Sequence, residues 1–173
     1  DFFDSTVTVA FEHNDHRHVA AVEAGEEKID KFSTVLFKAV LNGTEMTVKH
    51  PARLGGRVTD AEYKAAKLFL QPRTVRFKNN EETIDIGLST ITGFDRSTRK
   101  IGGAKRPVVE VRHMHKGQST MTMAATDSPR KMSILGRYLR LEYSELMSEL
   151  RDVELSGDKK EVLVALYSGA GQQ

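Results

Sequence analysis

Pro107-Val108-Val109-Glu110-Val111-Arg112-His113, followed by Lys116-Gly117-Gln118, Ser119 to Thr126 and Asp127-Ser128-Pro129, is the stretch whose reading decides the fold. Residues 107–113 read as a strand, and Lys116-Gly117-Gln118 carries a turn signal. Ser119 to Thr126 is the next strand, with Met121 and Met123 on one face. Asp127 or Ser128 then caps a helix. Pro129 takes its first position, where a missing N–H costs nothing. Met132, Leu135 and Leu139 give that helix one apolar stripe, widened by Ile134, Tyr138 and Leu146. The unit is strand, turn, strand, helix.

Upstream of it, strands are expected over Glu45 to His50, Lys64 to Leu70, Arg73 to Phe77 and Thr83 to Leu88. Pro51 implies an edge strand or a strand start. Gly55-Gly56 and Gln71-Pro72 punctuate the run, and Asp95 to Arg106 reads as a long basic connection around Gly102-Gly103. Residues 44–152 thus hold about seven short strands and one long helix. Turn signals every ~8–12 residues favour an antiparallel sheet over βαβ units. This order resembles the pleckstrin-homology-like or GRAM-like superfold, a bent antiparallel sheet or barrel capped by a C-terminal helix.

The same pattern occurs earlier. Thr6-Val7-Thr8-Val9-Ala10-Phe11-Glu12 alternates with period two, His13 to His18 is polar, and His18 to Glu23 reads as a second strand. Ile29, Phe32, Leu36 and Val40 then recur at helical spacing, and Asn42-Gly43 ends the helix. Residues 6–41 and 107–147 therefore share an element order. The expected fold class is α+β, with tandem PH-like or GRAM-like modules. Residues 1–43 would be the C-terminal half of a first module, and residues 44–152 a complete second one. Residues 153–173 would be the first helix of a further helical domain. Asp1-Phe2-Phe3-Asp4 lacks both a Met and a signal layout, so a piece of a longer protein is expected.

Hydrophobic residues at 39% and charged residues at 29% place the 173-residue chain among globular proteins. The absence of cysteine removes disulfides, thiol catalysis and cysteine-based metal sites, and it fits a reducing, cytosolic compartment. With 26 basic and 24 acidic residues, the net charge of +2 does not by itself point to nucleic acid. No apolar run approaches the ~18–20 residues of a membrane span.

Chemistry-bearing motifs are few. The P-loop, the dinucleotide fingerprint and Gly-x-Ser-x-Gly are absent, and no nucleophile–base pair can be named, so neither an enzyme nor a cofactor is expected. His13, His16 and His18 lie in a polar turn, and His113 and His115 share a strand face. Metal sites can be built this way, but polar hairpin turns account better for both sets. No Asp or Glu stands at ligand spacing in the second, so no metal is expected. Arg73, Arg76 and Lys78 read as the solvent face of a strand whose other face holds Val75 and Phe77. Arg96, Arg99, Lys100, Lys105 and Arg106 around the two glycines form the clearest candidate site. A solvated hairpin, an acidic protein partner and an anionic lipid headgroup all account for it. Glu161 to Tyr167 reads as a short helix apolar nearly all round, which calls for burial in a further domain or against a partner.

Four stretches together resemble the CheF family of archaeal taxis adaptors. They are His50-Pro51-Ala52 with Gly55-Gly56-Arg57-Val58-Thr59-Asp60-Ala61-Glu62-Tyr63, Lys105 to Val111, Ser133-Ile134-Leu135 leading to Leu139-Arg140, and Lys160 to Leu163 with Ala165 to Gly169. The resemblance implies a cytoplasmic, dimeric, non-enzymatic adaptor at the archaellum motor. It would link the phosphorylated response regulator CheY, together with CheC and CheD, to the motor switch. It also implies that the C-terminal region is winged-helix-like. Lys159, Lys160, Val162, Leu163, Leu166 and Tyr167 are the candidate CheY contacts, with the basic loop serving motor or adaptor proteins. The rival expectations are a PH-like module on anionic lipid and a winged helix on DNA.

Overall fold

A computed structural model describes residues 4–152. The chain divides into two compact units between Val40 and Leu41. The first holds β1 (Asp4–His13), β2 (His16–Gly25) and nearly all of α1 (Glu26–Leu41). The second holds β3 (Glu45–Leu54), β4 (Arg57–Val58), β5 (Lys64–Gln71), β6 (Thr74–Lys78), β7 (Thr83–Gly87), a 3-10 turn (Leu88–Thr90), β8 (Ile91–Ile101), β9 (Ala104–His115), β10 (Gln118–Ala125) and α2 (Pro129–Asp152). The helix expected over 161–167, with its candidate contacts from Lys159 to Tyr167, lies outside the described residues.

In the first unit β1 and β2 pair antiparallel from Asp4↔Gly25 to His13↔His16. The polar turn expected over His13 to His18 shrinks to Asn14 and Asp15, at φ 50° and 60°. Asn and Asp tolerate the left-handed region, and a turn with both central residues there matches the twist of paired strands. Pairing therefore continues through Glu12↔Arg17 and Phe11↔His18, whose rings stack 5.4 Å apart. Glu26 and Glu27 occupy the first turn of α1, where the helix dipole favours them, and Glu27 pairs with Lys31 one turn on. The helix stops at Leu41, with Gly43 at φ 79°.

The sheet of the second unit runs β7-β6-β5-β3-β10-β9-β8, with β4 attached to β3. Every pairing is antiparallel. Two meanders, β3-β5-β6-β7 and β8-β9-β10, join where β10 lies beside β3. The sheet does not close into a barrel, and β7 and β8 are its edges. Period-two alternation buries Ala66, Leu68 and Leu70 on β5, Val75 and Phe77 on β6, and Ile84 and Ile86 on β7.

Helix α2 supplies the other side of the core through Met132, Leu135, Tyr138 and Leu139, all buried at helical spacing. It packs on β9 and the 3-10 turn. Ser128 is its N-cap, with Oγ accepting from the Lys131 N–H at 3.2 Å. Between helix and sheet only about 10 Å³ remains empty, lined among others by Phe77, Val111, Leu135 and Leu139.

The Tyr138 hydroxyl is the exception in this core. The residue is fully buried, its Oη has no hydrogen-bond partner among the described residues, and burial together with Glu142 pushes its ionisation upward. An unsatisfied buried hydroxyl costs free energy. Tyr138→Phe is therefore expected to stabilise the protein by about 1 kcal/mol, read as a higher urea midpoint with an unchanged slope.

Two sequence expectations need correction. Pro51 does not start a strand, since it lies inside β3, and β3 as a whole is an interior strand. The pairing of β3 with β5 ends at Val48↔Lys64, however, so at Pro51 only β10 flanks it and the position is locally edge-like. Its missing N–H falls where the β3–β10 register slips between Met121↔Arg53 and Met123↔Lys49, and a bulge tolerates proline. The long basic connection over Asp95 to Arg106 is instead the body of a hairpin. Strands β8 and β9 pair all the way to Ile101↔Ala104, leaving only Gly102 and Gly103 as the turn, at φ 58° and 86°. Two consecutive left-handed residues make the tight hairpin turn that glycine permits. The charged residues masked the alternation. Ile101 and Val108 anchor the hairpin in a second apolar cluster with Ala52, Met123, Ala125, Tyr63 and Met121.

Candidate partner-binding site

The β8–β9 hairpin carries all five cations singled out in the sequence, and the structure sorts them into two kinds. Arg96 reaches back onto α2, where its Nη2 donates to the Ser133 carbonyl at 3.1 Å. Gly136 makes room for it: a Cβ there would stand 2.5 Å from that nitrogen. Arg99 donates to Glu110 at 2.7 Å and 3.2 Å, and the Ser97 hydroxyl donates to the same oxygen. Glu110 is buried, which raises its ionisation. The hydrogen bonds from Ser97 and Arg99 outweigh that burial and hold the carboxyl below its usual range. Arg106 pairs with Asp127 at 2.7 Å.

Lys100 and Lys105 differ. They stand directly opposite each other next to the glycine turn, both exposed, with no ion pair or hydrogen bond among the described residues. Like charges in directly opposed strand positions are destabilising. The five-residue basic loop thus reduces to a two-lysine tip on a base whose arginines hold the fold together.

Arg99→Met is expected to cost about 1 kcal/mol, the guanidinium being half exposed, whereas Lys100→Met costs nothing or stabilises slightly. Urea unfolding at neutral pH separates the two outcomes.

The second basic strip behaves as a solvent face. Val75 and Phe77 point to the core while Arg76 forms a two-pronged pair with Asp85, at 2.6 and 2.7 Å. Arg73 sits in the β5–β6 turn at φ 54°.

A third constellation was only half visible in the sequence. His113 and His115 of β9 are joined by His50 of β3, with ring centroids 5.7–6.3 Å apart. Thr122 of β10, the strand between them, bridges His50 Nδ1 at 2.8 Å and His113 Nε2 at 2.9 Å. The Thr122 hydroxyl thus sits between the two rings, and the tautomer of each ring sets which way each bond runs. Burial, then the neighbouring His50 and His115, lower the ionisation of His113 from 6.5 to about 4. His50 is lowered by burial first and His115 second, against an opposing pull from Glu82. Nothing in the spacing of His50 to His113 signals this contact, because the sheet order creates it. Among the described residues no group of His, Asp and Glu is arranged to hold a metal ion. Nor is any described helix long and apolar enough to cross a membrane.

Residues 1–145 match the family model described as Archaeal Chemotaxis signal transduction system protein F. The chain belongs to the CheF family. Taxis protein CheF2 of Halobacterium salinarum is 44% identical over 167 residues, which cover 96% of this chain and 58% of that protein. Taxis protein CheF1 of the same organism is 32% identical over 145 residues, which cover 83% of this chain and 49% of that protein. This CheF chain therefore spans about half of the curated relatives it matches. No solved structure matches it. The family takes its description from archaeal chemotaxis signal transduction, and both relatives are named taxis proteins.

Proposed function

We propose that this chain is part of a non-enzymatic adaptor that links the phosphorylated response regulator CheY, with CheC and CheD, to the archaellum switch. The observation that carries the reading is the family match over residues 1–145. The work of such a protein is physical. Phosphorylation changes which conformation of the regulator is populated, and the adaptor must bind the active one better, since equal affinity for both shifts nothing.

The two-lysine tip, Lys100 and Lys105, is the described surface best suited to an acidic motor or adaptor protein. Exposed charges of this kind act mainly on encounter rate and salt dependence. Lys159, Lys160, Val162, Leu163, Leu166 and Tyr167 remain the proposed CheY contacts. The intact adaptor would be a cytoplasmic homodimer at the motor, needing no cofactor, with no nucleic-acid partner and no membrane insertion.

In this reading residues 44–152 form a PH-like module, supported by the strand order in which two antiparallel meanders meet and a C-terminal helix covers the core. Residues 1–43 would be the end of a first such module, supported by the strand, turn, strand, helix order common to β1-β2-α1 and β9-β10-α2. Residues 153–173 would open the winged-helix-like domain.

Affinity capture from archaeal cell extract tests the reading. The intact protein is expected to retain the response regulator and switch proteins, and Lys100→Glu with Lys105→Glu to deplete the switch proteins about tenfold or more. Retention of anionic vesicles without any signalling protein would contradict it and favour lipid binding through the same tip.

A further inference from the structure

The outer face of the β3-β5-β6 region carries a feature that the signalling reading does not use. Glu45, Ala65, Ala66, Lys67, Phe69, Lys78, Asn79 and Asn80 line a groove of about 460 Å³ there. The β5–β6 register sets Lys67 directly opposite Lys78. Both are exposed, and neither has an ion pair or hydrogen bond among the described residues. The cations around them are neutralised: Arg76 by Asp85, and Lys64 by Glu81 and Glu82. Two ammonium groups without a direct ion pair among the described residues therefore share one groove with the apolar Phe69, where the Glu45 carboxylate opposite Lys67 offsets part of their charge. Two like charges in a directly opposed pair oppose folding, and an anionic ligand would relieve that opposition.

We propose that this groove docks an extended acidic segment of a partner protein, with carboxylates at Lys67 and Lys78 and an apolar side chain against Phe69. The volume is in the range of ligand-sized sites and larger than a single phosphate needs. Side chains on an extended segment alternate between faces, so acidic and apolar positions can reach the lysines and the Phe69 floor in turn. Glu45, directly across from Lys67 on β3, selects against a uniform polyanion. Two lysines beside a carboxylate release few counterions, so nucleic acid gains little there, and a concave site does not insert into a bilayer. The groove is separate from the hairpin tip, since β3, β10 and β9 lie between β5 and β8.

Fluorescence anisotropy with the full chain and a labelled peptide alternating Asp and Leu tests this. Saturable binding is expected, weakened about tenfold or more by Lys67→Glu with Lys78→Glu and unaffected by Lys100→Glu with Lys105→Glu. The milder Lys67→Gln with Lys78→Gln, which removes the like-charge pair and keeps the fold, is expected to weaken binding as well. Binding that survives both changes, or that is lost only at the hairpin tip, overturns the proposal. Retention of anionic vesicles or single-stranded DNA through Lys67 and Lys78, with no peptide binding, overturns it too.

Discussion

As pH falls from about 6.5 to about 4, the protein is expected to lose about 3 kcal/mol of folding stability through His113 alone. The ring is 1% exposed, and its folded ionisation lies about 2.5 pH units below the ordinary histidine value. A histidine depressed in this way binds fewer protons folded than unfolded throughout that window. Its stabilising contribution is therefore complete above about pH 6.5, falls as pH falls, and levels off below about pH 4. The geometry supplies the reason. His113 is enclosed in the sheet, with Nε2 2.9 Å from the Thr122 hydroxyl that also meets His50. A second proton on His113 would put a cation away from solvent beside two further imidazoles, His50 and His115. His50, His115 and Thr122 are the groups that meet the ring, with Glu82 acting on His50. Urea unfolding across the window should show stability rising with pH in the wild type and a much flatter dependence in His113→Gln, whatever that variant costs at neutral pH. Equal slopes would show that His113 is not held neutral by its surroundings.

Leu135→Ala should cost about 3 kcal/mol. Leu135 is 2% exposed and lines a gap of only about 10 Å³ between α2 and the sheet. Side chains of β6, β7, β8, β9 and β10 line the same gap, each fixed by its strand in the sheet, so the vacated volume cannot collapse cheaply. The tighter a site is packed, the more of the lost volume stays as cavity, and cavity volume sets the cost. Denaturant unfolding checks this, and a loss under about 1 kcal/mol would mean that α2 does not close the core as described.

Local signals carried much of the fold. Ser128-Pro129 and the stripe Met132, Leu135, Leu139 place α2 because capping and helical spacing are properties of neighbouring residues. Val75 and Phe77 against Arg76 and Lys78 place β6 for the same reason. The failures share a cause. Residues 95–106 read as a loop because Arg96, Arg99, Lys100, Lys105 and Arg106 dominate the composition. Yet the arginines find partners on α2, β9 and Asp127, and these are long-range contacts. Pro51 read as an edge or a strand start because its missing N–H cannot join a regular ladder. Only the three-dimensional register shows that it lies inside an interior strand, past the end of the β5 pairing and at a bulge against β10. His50 joins His113 and His115 only because β10 lies between β3 and β9. The groove lysines, Lys67 and Lys78, were split between two strands and became a pair only through register.

Calorimetric titration of CheY into the full-length protein, with and without a phosphate mimic on CheY, tests the central claim most directly. The adaptor reading predicts binding at least about tenfold tighter, or 1.4 kcal/mol, when the mimic is present. Equal affinities in the two states would contradict it.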